Sequence, residues 1–102
     1  MKISPERNGS SLTAAVAGRI DANTAPEFGR ELESLTDGVT DLTLDFDAVE
    51  YISSAGLRML LLAQKKMNRT RGAMRIINVS EDVYQVLEAT GFVGVSDISL
   101  KQ

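Results

Sequence analysis

The strongest constraint on the fold is the way the hydrophobic period changes along the chain. Asp41-Leu-Thr-Leu-Asp-Phe46 alternates strictly, which puts Leu42, Leu44 and Phe46 on one face of a strand. Before it, Ala25, Phe28, Leu32 and Leu35 recur at helical spacing, and after it the period is helical again from Ala55 to Asn68. Ala73–Asn78 reads as a strand, and Ser80 caps a helix that carries Val83, Val86 and Leu87 and is closed by Gly91. Val95–Leu100 is a final short strand. At the other end, Met1–Ile3 starts a strand, Asn8-Gly9 supplies a tight turn, and Leu12–Ala17 returns. The order is β-β-α-β-α-β-α-β, with each β-α-β stretch compact enough for a right-handed crossover. The expectation is an α/β fold, one domain over residues 1–102, with a mixed β-sheet of about five strands packed with three or more helices.

Local signals refine the boundaries. Gly18-Arg-Ile-Asp21 ends the second strand. Thr24-Ala-Pro-Glu27 reads as a capping box, with the Thr hydroxyl on the N3 amide and Glu27 reaching back to the cap. Pro26 is tolerated because first-turn amides have no intrahelical partner, and Asp37-Gly38 stops the helix. Asp47–Ile52 breaks the alternation and is expected to be a connection carrying apolar anchors.

Composition removes several kinds of chemistry. Cys and His are both absent, so thiolate and imidazole catalysis, disulfides and most zinc sites are excluded. The net charge of −3 argues against general nucleic-acid binding, which needs a basic field. Met1–Glu6 lacks an apolar core of signal-peptide length, and no window approaches ~18 uninterrupted apolar residues. A cytoplasmic protein with no membrane association is expected. The charge is divided: residues 1–50 hold 10 acids and 4 bases, residues 51–102 hold 4 acids and 7 bases.

The segment richest in chemistry is Asp47-Ala-Val-Glu-Tyr-Ile-Ser-Ser-Ala-Gly-Leu-Arg-Met-Leu60. Two serines stand where a loop becomes a helix, so Ser53 or Ser54 is near the N-cap, and a hydroxyl there is worth about 0.5–2 kcal/mol over Ala. The bland reading is a Ser cap with an incidental Gly56. The functional reading is a phosphate on Ser54, which would meet free helix amides and the positive end of the dipole. It would add about −1.5 to −2 charges without melting the helix. Gly56 leaves room beside that hydroxyl for a partner backbone.

Along the helix, Leu57, Leu60, Leu61, Gln64 and Met67 form the expected core stripe. Ser54, Arg58, Leu62 and Lys65 with Arg69 lie on another, with Met59 at its edge. A hydroxyl, an Arg and an apolar side chain among cations suit a protein-binding surface, or simply a solvated face. The basic run Lys65–Arg75 reads as cations at a helix C-terminus and solvated charge, and it contains no aromatic residue on which bases could stack. Asp45, Asp47 and Glu50 invite a Mg²⁺ reading, but no phosphate-cradling Gly loop accompanies them, and no metal or cofactor is expected. Ile52-Ser-Ser-Ala-Gly56 lacks the first Gly of a nucleophile elbow, and there is no His base, so no catalytic residue is assigned.

With these residues in view, the chain resembles the STAS domains, specifically the small bacterial anti-sigma factor antagonists. Tyr51-Ile-Ser-Ser-Ala-Gly-Leu57 is similar to the family's apolar-Asp-Ser-Ser/Thr-Gly-Leu stretch opening the second helix. Gly18-Arg-Ile-Asp21 with Ala25-Pro26 resembles the family's segment before the first helix, and Ser80 to Gly91-Phe92 its last helix. The resemblance implies a phosphoacceptor at Ser54, with Ser53, standing where the family has Asp, as the second candidate; Ala55 replaces the next hydroxyl. It implies partner contacts through Asp21, Ser53, Ser54, Gly56, Arg58, Met59 and Leu62.

The implied function is a partner switch without catalysis of its own. Unphosphorylated, such a protein binds an anti-sigma factor, typically a serine kinase of the histidine-kinase-like ATPase fold, and releases a sigma factor. Phosphorylation of Ser54 breaks the complex, and a PP2C-type phosphatase restores it. One rival keeps the fold and makes the chain an unphosphorylated STAS scaffold subunit docking on a transport ATPase or signalling assembly. A second rival, a nucleotide-binding protein or enzyme, would have to use the carboxylates and the basic run.

Overall fold

The computed structural model describes residues 1–102. The elements are β1 (Lys2–Asn8), β2 (Ser11–Ile20), α1 (Ala25–Leu35), β3 (Asp41–Ile52), α2 (Ser54–Arg69), β4 (Ala73–Val79), α3 (Glu81–Ala89) and β5 (Asp97–Leu100), with a 3₁₀ turn at Phe92–Gly94. This is the order read from the sequence. The five strands lie in chain order across one sheet. β1 is antiparallel to β2, and β2 through β5 are parallel.

That strand order fixes where the helices go. Each crossover steps one strand in the same direction, so right-handed crossovers place α1, α2 and α3 on one face of the sheet. The strand side chains agree: Leu12, Ala14 and Val16 of β2, Leu42, Leu44 and Phe46 of β3, and Met74 and Ile76 of β4 are buried. Their neighbours on the opposite face, among them Thr13, Ala15, Thr43, Asp45 and Arg75, are exposed or half-buried. On that open face the Arg75 guanidinium donates to Asp41 Oδ1 at 2.7 Å and to the Thr43 hydroxyl at 2.8 Å.

Several boundaries differ from the sequence reading. β1 runs seven residues, and the turn is Gly9-Ser10, with Asn8 paired to Ser11 and Gly9 at φ 62°. Asp47–Ile52 is the second half of β3, not a connection. From Phe46 on, the buried residues of β3, Phe46, Val49 and Ile52, fall three apart because the β2–β3 register shifts twice, at Ala15/Ala17 and Gly18/Arg19. Such irregularities destroy strict alternation, which is why the segment does not read as strand. β5 begins at Asp97, since Val95 and Ser96 follow directly on the 3₁₀ turn.

The capping box at Thr24 is a different device. The Thr24 side chain makes no cap bond to its helix. Its hydroxyl instead donates to the Arg19 carbonyl at 2.8 Å and accepts from the Asp21 N–H at 2.9 Å, locking the β2–α1 loop. In α2, Leu61 is exposed at 36%, and the stripe facing the sheet is Gly56, Leu57, Leu60, Ala63, Gln64 and Met67. Ala63 is buried on the side of α2 that meets α1.

The basic run is only partly solvated. Lys66 lies back on α1, donating to the Glu33 carbonyl and Asp37 Oδ1, both at 2.7 Å. It thereby satisfies an orphan carbonyl at the end of α1 and pins α2 to it. Arg75, in β4, belongs to the open sheet face. No helix of the structure is long and apolar enough to cross a membrane.

Candidate functional site

The N-terminus of α2 lies at the C-terminal ends of β2 and β3, the end of a parallel sheet where α/β proteins place their sites. The two adjacent serines there have separate roles. Ser53 is the N-cap: its backbone is extended, and its Oγ accepts from the Gly56 N–H at 3.3 Å. Its own N–H donates to the Ile20 carbonyl at 2.8 Å, which ties the helix start to β2. Ser54 is the first helical residue, exposed, with no hydrogen bond from its hydroxyl to the protein. No acidic residue occupies the first turn of α2.

Gly56 has a different role from the one its sequence suggests. It is buried, and a Cβ on it would come within 2.7 Å of Ile20 Cγ2 and 2.8 Å of Ile52 Cγ1. Its missing side chain lets α2 settle onto β2 and β3; no surface is left there for a partner's backbone. Gly56 therefore positions Ser53 and Ser54 from below.

Arg58 and Leu62 follow Ser54 along the outward stripe, both exposed, Leu62 at 53%. Met59 is half-buried beside them, against α1. Asp21 reaches the same end of the sheet, but its carboxylate is turned to its own loop. Oδ1 accepts from the Asn23 N–H at 2.9 Å and the Thr24 N–H at 3.1 Å. The Thr24 amide lowers the carboxyl most; desolvation, the next largest influence, opposes it, and the Asn23 amide, the Thr24 hydroxyl and the Arg19 charge help keep it below the usual Asp range. Asp21 is thus a loop organiser.

The structure adds residues that the sequence pattern did not single out. The Arg19 guanidinium carbon lies 4.4 Å from the centre of the Tyr51 ring, and Arg19 Nε is 3.9 Å from Asp21 Oδ2. Arg19 and Tyr51 are register partners on β2 and β3, a pairing visible only once the bulged register is known. On the other flank, Pro26, Gly29 and Arg30 of α1 line a trough with Met59 and Leu62. Two of the three carboxylates considered for Mg²⁺ are tied to protein donors: Asp45 Oδ1 accepts from Asn78 Nδ2 at 3.1 Å and from the Asp47 N–H at 3.0 Å. Asp47 pairs with Lys101, at 3.3 Å.

A bulged mixed sheet with its helices on one face and a serine-led helix at the strand ends is the arrangement of a STAS domain. The STAS domain model matches residues 2–101, and the chain belongs to that family. Its relatives there are anti-sigma factor antagonists. It is 30% identical to the anti-sigma-B factor antagonist of Listeria monocytogenes over 91% of this chain and 82% of that protein. It is 27% identical to the Bacillus subtilis anti-sigma-B factor antagonist over 99% of this chain and 93% of that one. In fold it matches the Bacillus antagonist SpoIIAA in its unphosphorylated form with a TM-score of 0.75, at 12% identity over 99% of this chain and 89% of that chain. The phosphorylated form of SpoIIAA gives 0.73, at 14% identity over 95% and 90%.

Proposed function

We propose that this chain is an anti-sigma factor antagonist switched at Ser54. Unmodified, it binds an anti-sigma factor that is also a serine kinase, and so frees a sigma factor in the cytoplasm. The kinase transfers a phosphoryl group from ATP to Ser54 Oγ, the complex breaks, and a PP2C-type phosphatase hydrolyses the phosphoserine to restore binding. Asp21, Ser53, Arg58, Met59 and Leu62 surround the acceptor on the docking surface, and Gly56 supports it.

The observation that carries this reading is the division of labour between the two serines. Ser53 Oγ is half-buried and engaged with the Gly56 amide, whereas Ser54 is exposed and its hydroxyl is free. A dianion on Ser54 sits at the positive end of α2, where no side-chain carboxylate competes. The fold tolerates the charge, and a partner docked on the same helix face does not.

The test is incubation with ATP and each serine kinase found encoded near the gene, followed by mass spectrometry. A single phosphate is expected, abolished by Ser54→Ala and retained in Ser53→Ala. Labelling that survives Ser54→Ala and disappears in Ser53→Ala moves the acceptor by one residue. No labelling, with stable binding to a transport ATPase or signalling scaffold, replaces the switch with the scaffold role.

A further inference from the structure

We infer that the trough between α1 and α2, which opens beside Ser54, receives an amphipathic segment of the partner whose apolar residues are flanked by carboxylates. This rests on the docking role proposed above and specifies the chemistry of the bound partner. Two hollows adjoin along the helix pair. One, of about 360 Å³, is bounded by Pro26, Ser54, Arg58 and Met59. The next, of about 540 Å³, is bounded by Pro26, Gly29, Arg30, Met59 and Leu62. They share Pro26 and Met59, so they form one trough with the Met59 side chain as its partition.

Its apolar lining comes from Pro26, Met59, Leu62 and the alanines and leucine beneath them. The partition is pliable. The Met59 sulfur occupies the space that a Cβ on residue 29 would need, so it is glycine there that lets Met59 fold down. A thioether on three rotatable bonds adapts to an incoming side chain at little cost. The charge is asymmetric. Arg30 and Arg58 have no ion pair within the chain, whereas Glu33 and Asp37 at the far end share Lys66. Among the residues that line the trough, the unpaired charge toward Ser54 is therefore positive, which suits a carboxylate-bearing occupant.

The same geometry explains how a phosphate on Ser54 would act along the trough. Arg58 is one turn from Ser54, the spacing at which a helix anion and cation pair. The phosphate takes that cation and sets two negative charges against the occupant's carboxylates.

The experiment uses the full chain with ¹³C-methyl methionine and ¹⁵N labels. It is titrated with a short synthetic helix of Leu and Glu at heptad spacing, with the same helix carrying Lys for Glu, and with the anti-sigma factor. The acidic helix and the anti-sigma factor should shift the Met59 methyl and the Gly29 and Arg30 amides; the basic helix should not. Gly29→Ala, which lifts Met59 into the trough, and Arg30→Glu should each weaken anti-sigma factor binding by about tenfold or more, with unchanged melting temperature. Equal affinity in wild type and both variants overturns the trough and leaves the antagonist role standing. If wild type binds no anti-sigma factor, the antagonist role falls. The acidic helix then decides alone, and an unmoved Met59 methyl overturns the inference.

Discussion

Replacing Gly56 with Ala sets two physical effects of opposite sign against each other, and the structure says which wins. In an exposed helix the change would stabilise by roughly 0.8–1 kcal/mol, because Gly is a poor helix former. Here the new methyl would lie 2.7 Å from Ile20 Cγ2, 2.8 Å from Ile52 Cγ1 and 3.2 Å from the Ile20 carbonyl oxygen. None of these yields easily. Ile20 and Ile52 are 0% and 2% exposed, and the Ile20 carbonyl accepts the Ser53 N–H that anchors the helix. Overpacking a dense core costs about 1–3 kcal/mol, and here a backbone shift is added to it. The expected result is a net loss of about 1–2 kcal/mol, which lowers the melting temperature by about 4–8 °C for each kcal/mol in a chain of this size. Urea unfolding followed by circular dichroism measures the loss, and thermal melts check it. Gly29→Ala is the control, because the atom its Cβ meets is the mobile end of Met59, and its stability should be near wild type. A Gly56→Ala protein as stable as wild type would refute the claim that α2 is seated by the absence of that side chain.

The other expectations concern the ends of the same two helices. Ser53→Ala removes the α2 cap and should cost about 0.5–2 kcal/mol in urea unfolding, while Ser54→Ala should change stability by less than ~0.5 kcal/mol. Equal losses for the two would contradict the assignment of separate roles. Lys66→Met should lose about 1 kcal/mol, since Lys66 bonds a helix-end carbonyl and two exposed carboxylates. Burial is the largest single influence and pulls the Lys66 pKa down, but the hydrogen bonds to Asp37 and Glu33 and the charges of both carboxylates together outweigh it, so the pKa rises above its ordinary 10.5. A raised folded pKa means the stabilisation is fully present below that ordinary value and is lost as pH climbs through the folded one. The gap between wild type and Lys66→Met should therefore be constant from neutral pH to ~10 and close only above it; a gap that closes near neutral pH would rule out the lysine as its cause.

Reading the sequence recovers what depends on short-range periodicity. The element order, the buried face of Leu42, Leu44 and Phe46 in β3, the Ser80 cap and the outward stripe of Ser54, Arg58 and Leu62 all follow from local spacing. What escapes it depends on contacts between distant segments. Asp47–Ile52 reads as a loop because the bulges that make it a strand are set by its neighbour β2. Thr24 and Glu27 have the spacing of a capping box, yet the Thr24 hydroxyl goes to Arg19, a partner no helix template includes. Leu61 and Ala63 both fit a helical period, four after Leu57 and three after Leu60, and only the position of α1 decides that the smaller one is buried. Gly56 was legible as unusual, and only the positions of Ile20 and Ile52 show why.

These misreadings bear on the switch itself. Every residue that fixes the start of α2 faces inward or along the backbone: Gly56 against two isoleucines, Ser53 on the helix amide, and the Ser53 N–H on Ile20. Every residue proposed to meet the partner on this helix faces outward or sideways: Ser54, Arg58, Met59 and Leu62. Folding and binding therefore draw on different atoms of adjacent residues. A charge added at Ser54 changes the outward set and leaves the inward set intact, so the free energy of modification is expressed in the complex and not in the fold. The neutral Ser at position 53 sharpens that separation. A neutral hydroxyl caps the helix without placing a fixed negative charge beside the acceptor, so the helix end keeps its full positive potential for the phosphate. Ser53→Asp should then retain the cap and the fold but blunt the contrast between unmodified and phosphorylated protein, because part of the charge change is already present. Anti-sigma factor affinity measured for both forms of wild type and Ser53→Asp would show this as a smaller ratio in the variant; an unchanged ratio would mean that the potential at the helix end plays no part in the switch.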